Sequence, residues 1–314
     1  EIGPMSGATD YSPPDFLLKP YVMAGGAGTI MFAEPGAGKS WIALLMAVSI
    51  DAGIGIHWPV PNPMPVLYIN LERPRLSMEQ RLGQANRVLA QKPERPLDFI
   101  HARGRRLSDV IGAIDAYSAK KGISMVVLDS ISRSGQGGSL KNDDIANTII
   151  DSLNGLGTSW LAIAHISRDS ENGSKPHVFG SQMFDAAGDL MVSVTHEQRE
   201  QILGVGLRVT KANDIAFPKP ELFALEFGEQ GLAAVRGARS YEFPQLESGA
   251  GQSPRGRILD YLTAEGSDTP SRISEATGIR SQHISRELVA MVHEGLVQFK
   301  QQGRNRLYEL TEVE

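Results

Sequence analysis

The chain has 314 residues, enough for one medium-sized core and a small domain, or for two domains of similar size. It carries 31 Lys and Arg against 36 Asp and Glu, so its net charge of −5 excludes a general polycation, and nucleic-acid contact needs local basic patches. The absence of cysteine excludes disulfides, thiolate zinc sites and cysteine nucleophiles. Since we find no bilayer-spanning apolar run and no signal peptide, we expect a cytoplasmic protein without a membrane partner.

The first predicted elements are a strand over 29–32 and a helix over 41–50, joined by a glycine-rich loop. The loop fits the P-loop pattern G-x-x-x-x-G-K-S/T except at its first position, and reads Ala33-Glu34-Pro35-Gly36-Ala37-Gly38-Lys39-Ser40. In a P-loop, backbone N–H groups and the helix N-terminus face phosphate oxygens, the lysine reaches the β and γ phosphates, and the hydroxyl ligates Mg²⁺. We therefore predict a nucleotide site from Glu34 to Trp41, with Lys39 on the phosphates and Ser40 on Mg²⁺.

Strand and helix patterns continue to alternate up to about Gly237, which predicts an α/β fold with a mostly parallel sheet. Strands are predicted over 66–71, 97–100, 123–128, 160–164, 190–195, 202–210 and 222–227, the last three as antiparallel elements. Helices are predicted over 76–89, 109–121 and 145–156. We place this core at residues 16–245, after a flexible N-terminus at 1–15.

A linker at 246–254, rich in Gly and Ser, precedes a small C-terminal domain at 255–314. Apolar spacing predicts one helix around Ile258, a second with Thr269 as its N-cap, and a third around Leu288. Two strands are predicted on either side of a turn at 301–306. Three helices followed by a hairpin is the order of an α+β winged-helix domain, in which the second and third helices form a helix-turn-helix.

Two carboxylates follow predicted strands of the core. Asp129 ends an apolar strand and, in a chain with a P-loop, has the position of a Walker B aspartate at the Mg²⁺. Glu72 follows the strand at 66–71, where an acid can polarise the water that attacks the γ-phosphate. The alternative for Glu72 is a helix-start carboxylate before Pro74. We favour catalysis because strand ends at one edge of such a sheet converge on the nucleotide.

Four segments together resemble the RecA-fold ATPases, in particular the RepA/DnaB-like hexameric replicative helicases and the RadA-like AAA ATPases grouped with them. These segments are residues 33–40, LYINLE at 67–72, VVLDSISR at 126–133 and AIAHIS at 162–167. The resemblance extends from about Phe16 to Phe227. It implies a RecA-like P-loop core that uses ATP and Mg²⁺, with Glu72 as the catalytic base and His165 as the γ-phosphate sensor. It also implies a homo-oligomer, expected to be a hexameric ring.

Two polar loops, 132–144 and 167–180, follow the strands that end near Asp129 and Ala164. In the family, loops at these places face a central channel and bind single-stranded DNA through its phosphates. The alternative is that both are solvated surface loops that bind no DNA. The basic side chains that we expect to contact the strand are Arg133, Lys141, Arg168, Lys175 and His177.

The predicted winged-helix domain is a candidate for duplex DNA. Arg286 lies off the apolar face of the third helix, and Arg304 and Arg306 make the hairpin basic. Residues 253–314 contain eight Lys and Arg against nine Asp and Glu, so a role in protein contacts is the alternative.

The resemblance is incomplete at one position. In ring helicases, each subunit supplies a basic side chain to the γ-phosphate of the nucleotide that its neighbour binds. Such proteins often carry a K-x-R pair on a late strand; Lys211 fits the lysine, but Asn213 stands at the arginine position. RepA-like relatives also tend to carry an arginine where this chain has Gly188 and Asp189. The expected cation is therefore Lys211 or Arg208.

The expected function is an ATP-hydrolysing oligomeric motor on DNA, similar to a replicative helicase. Two alternatives stay open: a filament-forming RadA-like recombination or repair ATPase, and a DNA-binding regulator that ATP switches through the winged helix. The basic loops favour the motor, whereas Asn213 favours the regulator.

Overall fold

The computed structural model describes residues 14–134, 143–166, 178, 183–243, 245–246, 253–302 and 305–311. The described residues within 1–33, 39–192 and 209–218 form one unit, and those within 34–38, 193–208 and 219–314 form another. None of the described helices is long and apolar enough to cross a membrane.

The strands and helices follow one another in nearly the predicted order. The strands are β1 (Phe16–Leu18), β2 (Val22–Met23), β3 (Gly28–Ala33), β4 (Val66–Asn70), β5 (Asp98–His101), β6 (Met125–Asp129), β7 (Ser159–His165), β8 (Leu190–Arg199), β9 (Ile202–Ala212), β10 (Glu221–Gly228), β11 (Gly231–Gly237), β12 (Val297–Gln302) and β13 (Asn305–Leu310). The helices are α1 (Lys39–Ala52), α2 (Arg75–Val88), α3 (Leu107–Lys121), α4 (Ile131–Ser134), α5 (Asp143–Asn154), α6 (Met183–Ala187), α7 (Pro254–Glu265), α8 (Pro270–Thr277) and α9 (Ser281–His293).

Nine strands form one sheet in the order β11-β10-β9-β8-β3-β7-β6-β4-β5. Strands β3, β7, β6, β4 and β5 run parallel, whereas β9, β10 and β11 pair antiparallel. The predicted α/β fold with a mostly parallel sheet is therefore confirmed. Because parallel strands end at the same edge, the residues that follow β3, β4, β6 and β7 meet there.

The parallel strands β3, β4 and β6 are buried along their whole length, which is typical of parallel strands covered on both faces. Helix α1 is buried on almost all sides. Helices α3 and α5 bury one face each, and this face packs into the same apolar cluster as β4, β6 and β7. The strands whose carboxyl ends meet at one edge are therefore held by a closely packed apolar core.

Two of the predicted boundaries differ from the structure by two residues because of capping at α3. The helix begins at Leu107 and not at Asp109, since the Asp109 carboxylate accepts a hydrogen bond from the Arg106 backbone N–H and so belongs to the first turn. At the other end, Gly122 adopts the left-handed conformation (φ 64°), and the Ile123 N–H bonds back to Ser118. Strand β6 therefore begins at Met125 and not at Ile123.

The C-terminal residues of the second unit show three helices followed by an antiparallel hairpin. Thr269 caps α8, as predicted. Pro270 occupies the first turn of this helix, and Gly278 ends it in the left-handed conformation (φ 65°). The apolar faces of α7, α8 and α9 share one core with Val297 and Tyr308 of the hairpin. The assignment as a winged-helix domain and the domain limits at 245 and 255 stay predictions.

Candidate nucleotide-binding site

The P-loop connects β3 to α1, as the sequence predicted. Gly36 and Gly38 have φ angles of 86° and 81°, which side-chain-bearing residues rarely adopt, so both glycines are required by the backbone. Ala33 is the last residue of β3 and has no positive φ. Alanine is therefore compatible with the first motif position, where the pattern has glycine.

Lys39 begins α1 and is only 6% exposed. Its ammonium group donates a hydrogen bond of 2.8 Å to the Ala33 carbonyl and lies 3.4 Å from Nδ1 of His165. Ala33 and His165 are register partners at the ends of the parallel strands β3 and β7. Because an ammonium group only donates, Nδ1 accepts and the imidazole proton is on Nε2. That N–H points to the side on which Glu72 lies.

Glu72 follows the end of β4, and its side chain is 25% exposed. Its Oε1 accepts hydrogen bonds from the hydroxyls of Ser130 and Ser132, the latter at 3.2 Å, and lies 3.9 Å from Nε2 of His165. The interaction with His165, followed by those with the two serines, lowers the pKa of Glu72 to about 2 against the opposing effect of burial. Glu72 is therefore a carboxylate throughout the physiological pH range.

Asp129 ends β6 and is 1% exposed. Its Oδ2 accepts a hydrogen bond of 2.8 Å from the Tyr68 hydroxyl, whereas Oδ1 has no hydrogen-bond partner within the described residues. Burial raises the pKa of Asp129, while Tyr68 and the nearby Ser40 hydroxyl lower it. A buried carboxylate oxygen with a free lone pair, close to a hydroxyl, is the hard-oxygen donor set that Mg²⁺ takes together with phosphates and water. These two residues therefore fit the predicted ion.

The structure thus brings Lys39, Glu72, Asp129 and His165 together at one edge of the sheet, although they are far apart in sequence. Sequence reasoning missed the neutral side chains that hold them, namely Tyr68, Asn70, Ser130 and Ser132. Two features of the sequence could have indicated them. Tyr68 and Asn70 are two positions apart in β4 and so share a face of the sheet, and Ser130 and Ser132 are polar residues just after the Walker B strand.

Sequence reasoning also missed Arg81 of α2. Its guanidinium stacks 4.5 Å from the ring of Trp41, the last residue of the predicted nucleotide site. Burial, followed by repulsion from Arg73, lowers the pKa of Arg81 to about 10. A second cation therefore lies against the first turn of α1.

The candidate trans-acting cations, Lys211 and Arg208, lie on β9, which β8 separates from β3 in the sheet. The Lys211 ammonium donates a hydrogen bond of 2.6 Å to the Ala186 carbonyl. The two departures from the family pattern contact each other, because the Asn213 N–H bonds to the Asp189 carbonyl at 3.2 Å. Asp189 also accepts a bond of 2.8 Å from the Gly28 N–H at the start of β3. Through these bonds, Asp189 joins the start of β8 to the start of β3 and to the end of β9.

Of the candidate DNA contacts in the core, Arg133 is exposed on the short helix α4. Several of the predicted contacts lie outside the described residues: Lys141, Arg168, Lys175, His177 and Arg304.

Arg286 is exposed on α9, where the sequence predicted it, and contributes to a surface pocket of about 230 Å³. The other lining residues are Arg280, Gln282 and His283. In the hairpin, Arg306 covers the ring of Phe299 at 4.6 Å. Basic side chains therefore lie both at the start of α9 and in the hairpin.

The family model described as "AAA domain" matches residues 7–171, just over half of the chain. Among solved structures the chain is similar to one titled as an ATPase domain, with 14% identity, a TM-score of 0.49, and coverage of 68% of this chain and 86% of that one. It is also similar to the flagellar accessory protein FlaH from Methanocaldococcus jannaschii, with 14% identity, a TM-score of 0.45, and coverage of 68% and 91%. No curated protein matches the chain.

Proposed function

Because this chain belongs to the AAA domain family, we propose that it hydrolyses ATP and works as an oligomeric motor on DNA, similar to a replicative helicase. The observation that carries the proposal is the arrangement of Lys39, Glu72, Asp129 and His165 at the carboxyl edge of four parallel strands. Phosphoryl transfer needs a cation on the phosphates, a metal-binding carboxylate and a group that orients the attacking water, and this arrangement supplies all three.

Each side chain has a distinct role in the proposed reaction. Lys39 binds the β and γ phosphates, and the Nε2–H of His165 is the donor that reports the γ-phosphate to Glu72. Glu72 orients the attacking water, since a carboxylate of such low pKa is a hydrogen-bond acceptor at neutral pH and a weak ground-state base. Ser40 and Asp129 hold Mg²⁺, which neutralises charge on the phosphate oxygens when it is bound.

One exposed arginine in the core and one pocket with two arginines support the DNA part of the proposal. Arg133 is exposed directly after the Walker B strand, at the start of the loop that the family uses for single-stranded DNA. The pocket with Arg280 and Arg286 lies at the start of α9, the helix that would enter a major groove in a winged-helix domain. We assign Arg133 to single-stranded DNA and the pocket on α9 to the phosphates of duplex DNA.

The motor predicts a trans contact between subunits. We expect closed rings in mass photometry with a non-hydrolysable ATP analogue and single-stranded DNA.

We also expect Lys211→Ala or Arg208→Ala to reduce turnover much more than ATP affinity, because the cation acts on charge that develops in the transition state. Mixing Lys211→Ala with Glu72→Gln subunits should restore some hydrolysis, since a mixed interface can combine one intact face from each.

Two other results would redirect the assignment. Filaments would favour the RadA-like recombination ATPase. Monomers or dimers, with normal turnover of both cation variants in the presence of DNA, would favour the ATP-switched regulator. The observation that favours the ATP-switched regulator is the hydrogen bond from Lys211 to the Ala186 carbonyl, because it gives the lysine a partner within its own subunit.

The pocket on α9 predicts a change in the salt dependence of duplex DNA binding. Replacing both Arg280 and Arg286 with Gln should weaken binding equally for different sequences and flatten the plot of log affinity against log salt by about 0.9 per lost phosphate contact. Fluorescence anisotropy over a salt series measures the slope. Arg75→Gln on α2 is the control, since Arg75 is an exposed arginine paired with Glu79. An unchanged slope in the double variant would contradict a phosphate contact at this pocket.

A further inference from the structure

Asn70 is the last residue of β4, two positions before Glu72, and its side chain is fully buried. Its amide uses every hydrogen-bonding position. Oδ1 accepts from the backbone N–H groups of Glu72 and Arg73, at 3.2 and 2.9 Å. Nδ2 donates to the Arg73 carbonyl at 2.7 Å and lies 3.3 Å from Nδ1 of His101, its register partner on β5.

These contacts determine both the orientation and the identity of the side chain. Two backbone donors require an acceptor on one side, and the Arg73 carbonyl requires a donor on the other, so the amide cannot be flipped. Aspartate supplies only the acceptors, and alanine supplies neither. The turn from Asn70 to Arg73 is therefore closed by a side chain that few residues can replace.

We propose that Asn70 is a positioning residue for ATP hydrolysis: it fixes the turn that carries Glu72, so that the carboxylate is held between the His165 ring and the phosphate site. The inference rests on the proposed ATPase function and assigns a role to a residue that touches no reacting atom. Its distinctive feature is that Glu72 is held at both ends, by Asn70 at its backbone and by Ser130 and Ser132 at Oε1.

The expected effect follows from the geometry of water positioning. Without the amide, the Glu72 N–H loses its partner and the turn can relax, and a displacement of about 1 Å at a catalytic group costs up to ~100-fold in rate. ATP affinity should change little, because Lys39 and the P-loop do not bond to this turn through the amide. We therefore expect Asn70→Ala to lower kcat at least ~10-fold with KM for ATP within about 2-fold of the parent.

Asn86 provides a matched control. It is also a fully buried asparagine that closes a turn, since its Nδ2 donates to the carbonyls of Pro93 and Arg95 at 3.0 and 2.9 Å. Asn86→Ala should lower the melting temperature as Asn70→Ala does, but leave kcat unchanged. Asn70→Asp keeps the two accepted bonds and should retain more of the parent kcat than Asn70→Ala does.

The decisive measurement is a double-mutant cycle in single-turnover hydrolysis. If Asn70 acts through Glu72, Asn70→Ala should lower the rate at least ~10-fold in the parent and less than about 3-fold in Glu72→Gln. An equal loss in both backgrounds, or an equal loss in Asn86→Ala, would overturn the proposal. If Asn70→Ala does not fold, Asn70→Asp is measured in the same two backgrounds, and the same comparison decides. Failure of the ATPase function itself is distinguishable, because then the parent does not hydrolyse ATP or Glu72→Gln hydrolyses it at the parent rate.

Discussion

Replacing Glu72 with Gln is expected to slow single-turnover ATP hydrolysis at least ~100-fold while ATP still binds with nearly the parent affinity. The amide keeps the size of the side chain but loses the charge that, in the proposed reaction, orients and polarises the attacking water. It also changes the acceptor that Ser130, Ser132 and the His165 ring share. Rapid-quench hydrolysis with enzyme in excess measures the step directly, and a fluorescent ATP analogue measures binding.

The low pKa of Glu72 gives this prediction a pH dependence. Because the folded pKa is about 2, below the ordinary value of 4.5, Glu72 should cause no acid loss of rate between pH 8 and about pH 4. Because the pKa of Glu72 is lower in the folded state than in the unfolded state, its contribution to stability is fully present above the unfolded pKa of 4.5. This contribution is lost as the pH falls toward about 2.

Glu79→Gln is the control for this variant, since it removes an exposed carboxylate on α2 that pairs with Arg75. It should leave the hydrolysis rate unchanged. Hydrolysis by Glu72→Gln at the parent rate would remove Glu72 from the mechanism, whatever the outcome at the other site residues.

The second large effect is expected at Lys39. Replacing Lys39 with Met or Ala should weaken ATP binding at least ~100-fold, since a charged hydrogen bond to phosphate contributes up to about 3 kcal/mol. The ammonium is buried, where it donates to the Ala33 carbonyl and contacts the His165 ring. Met keeps the apolar stem, and the Ala33 carbonyl still accepts a hydrogen bond of 3.1 Å from the Ile166 N–H, so we expect the variant to fold.

Isothermal titration calorimetry with ATP and Mg²⁺ measures the affinity, and thermal unfolding verifies that the variants are folded. Lys92→Met, at an exposed position after α2, is the matched control and should bind as the parent does. An affinity of Lys39→Met within about 3-fold of the parent would contradict the assignment of the P-loop as the phosphate site.

The sequence predicted which titratable side chains meet at the carboxyl edge of the parallel strands, but not the neutral side chains that bond to them. Lys39 was predictable from the P-loop motif, and Glu72 and Asp129 were predictable because they end or follow strands whose parallel direction places their ends at one edge of the sheet. The family resemblance was needed for His165, which alone reads as an ordinary histidine at a strand end.

The supporting residues could not be predicted, because their roles depend on contacts between distant segments. Tyr68 reaches Asp129 across 61 positions of the chain, and Ser130 reaches Glu72 across 58. In sequence, Tyr68 is an aromatic residue in a buried strand, which is typical of a core position. The shift of α3 to Leu107 has a similar cause, since the Asp109 carboxylate bonds to a backbone group three residues earlier.

The single oxygen atom Oε1 of Glu72 connects the chemistry of the site to the segment after β6. Ser130 and Ser132, which donate to it, lie on either side of the first residue of α4, and that helix ends at Ser134, within the loop predicted to contact DNA. In the proposed reaction, Oε1 would be shared between the attacking water and these two hydroxyls. In the proposed motor, a change at the nucleotide would reach the start of the loop predicted to contact DNA through the hydrogen bonds of this one carboxylate.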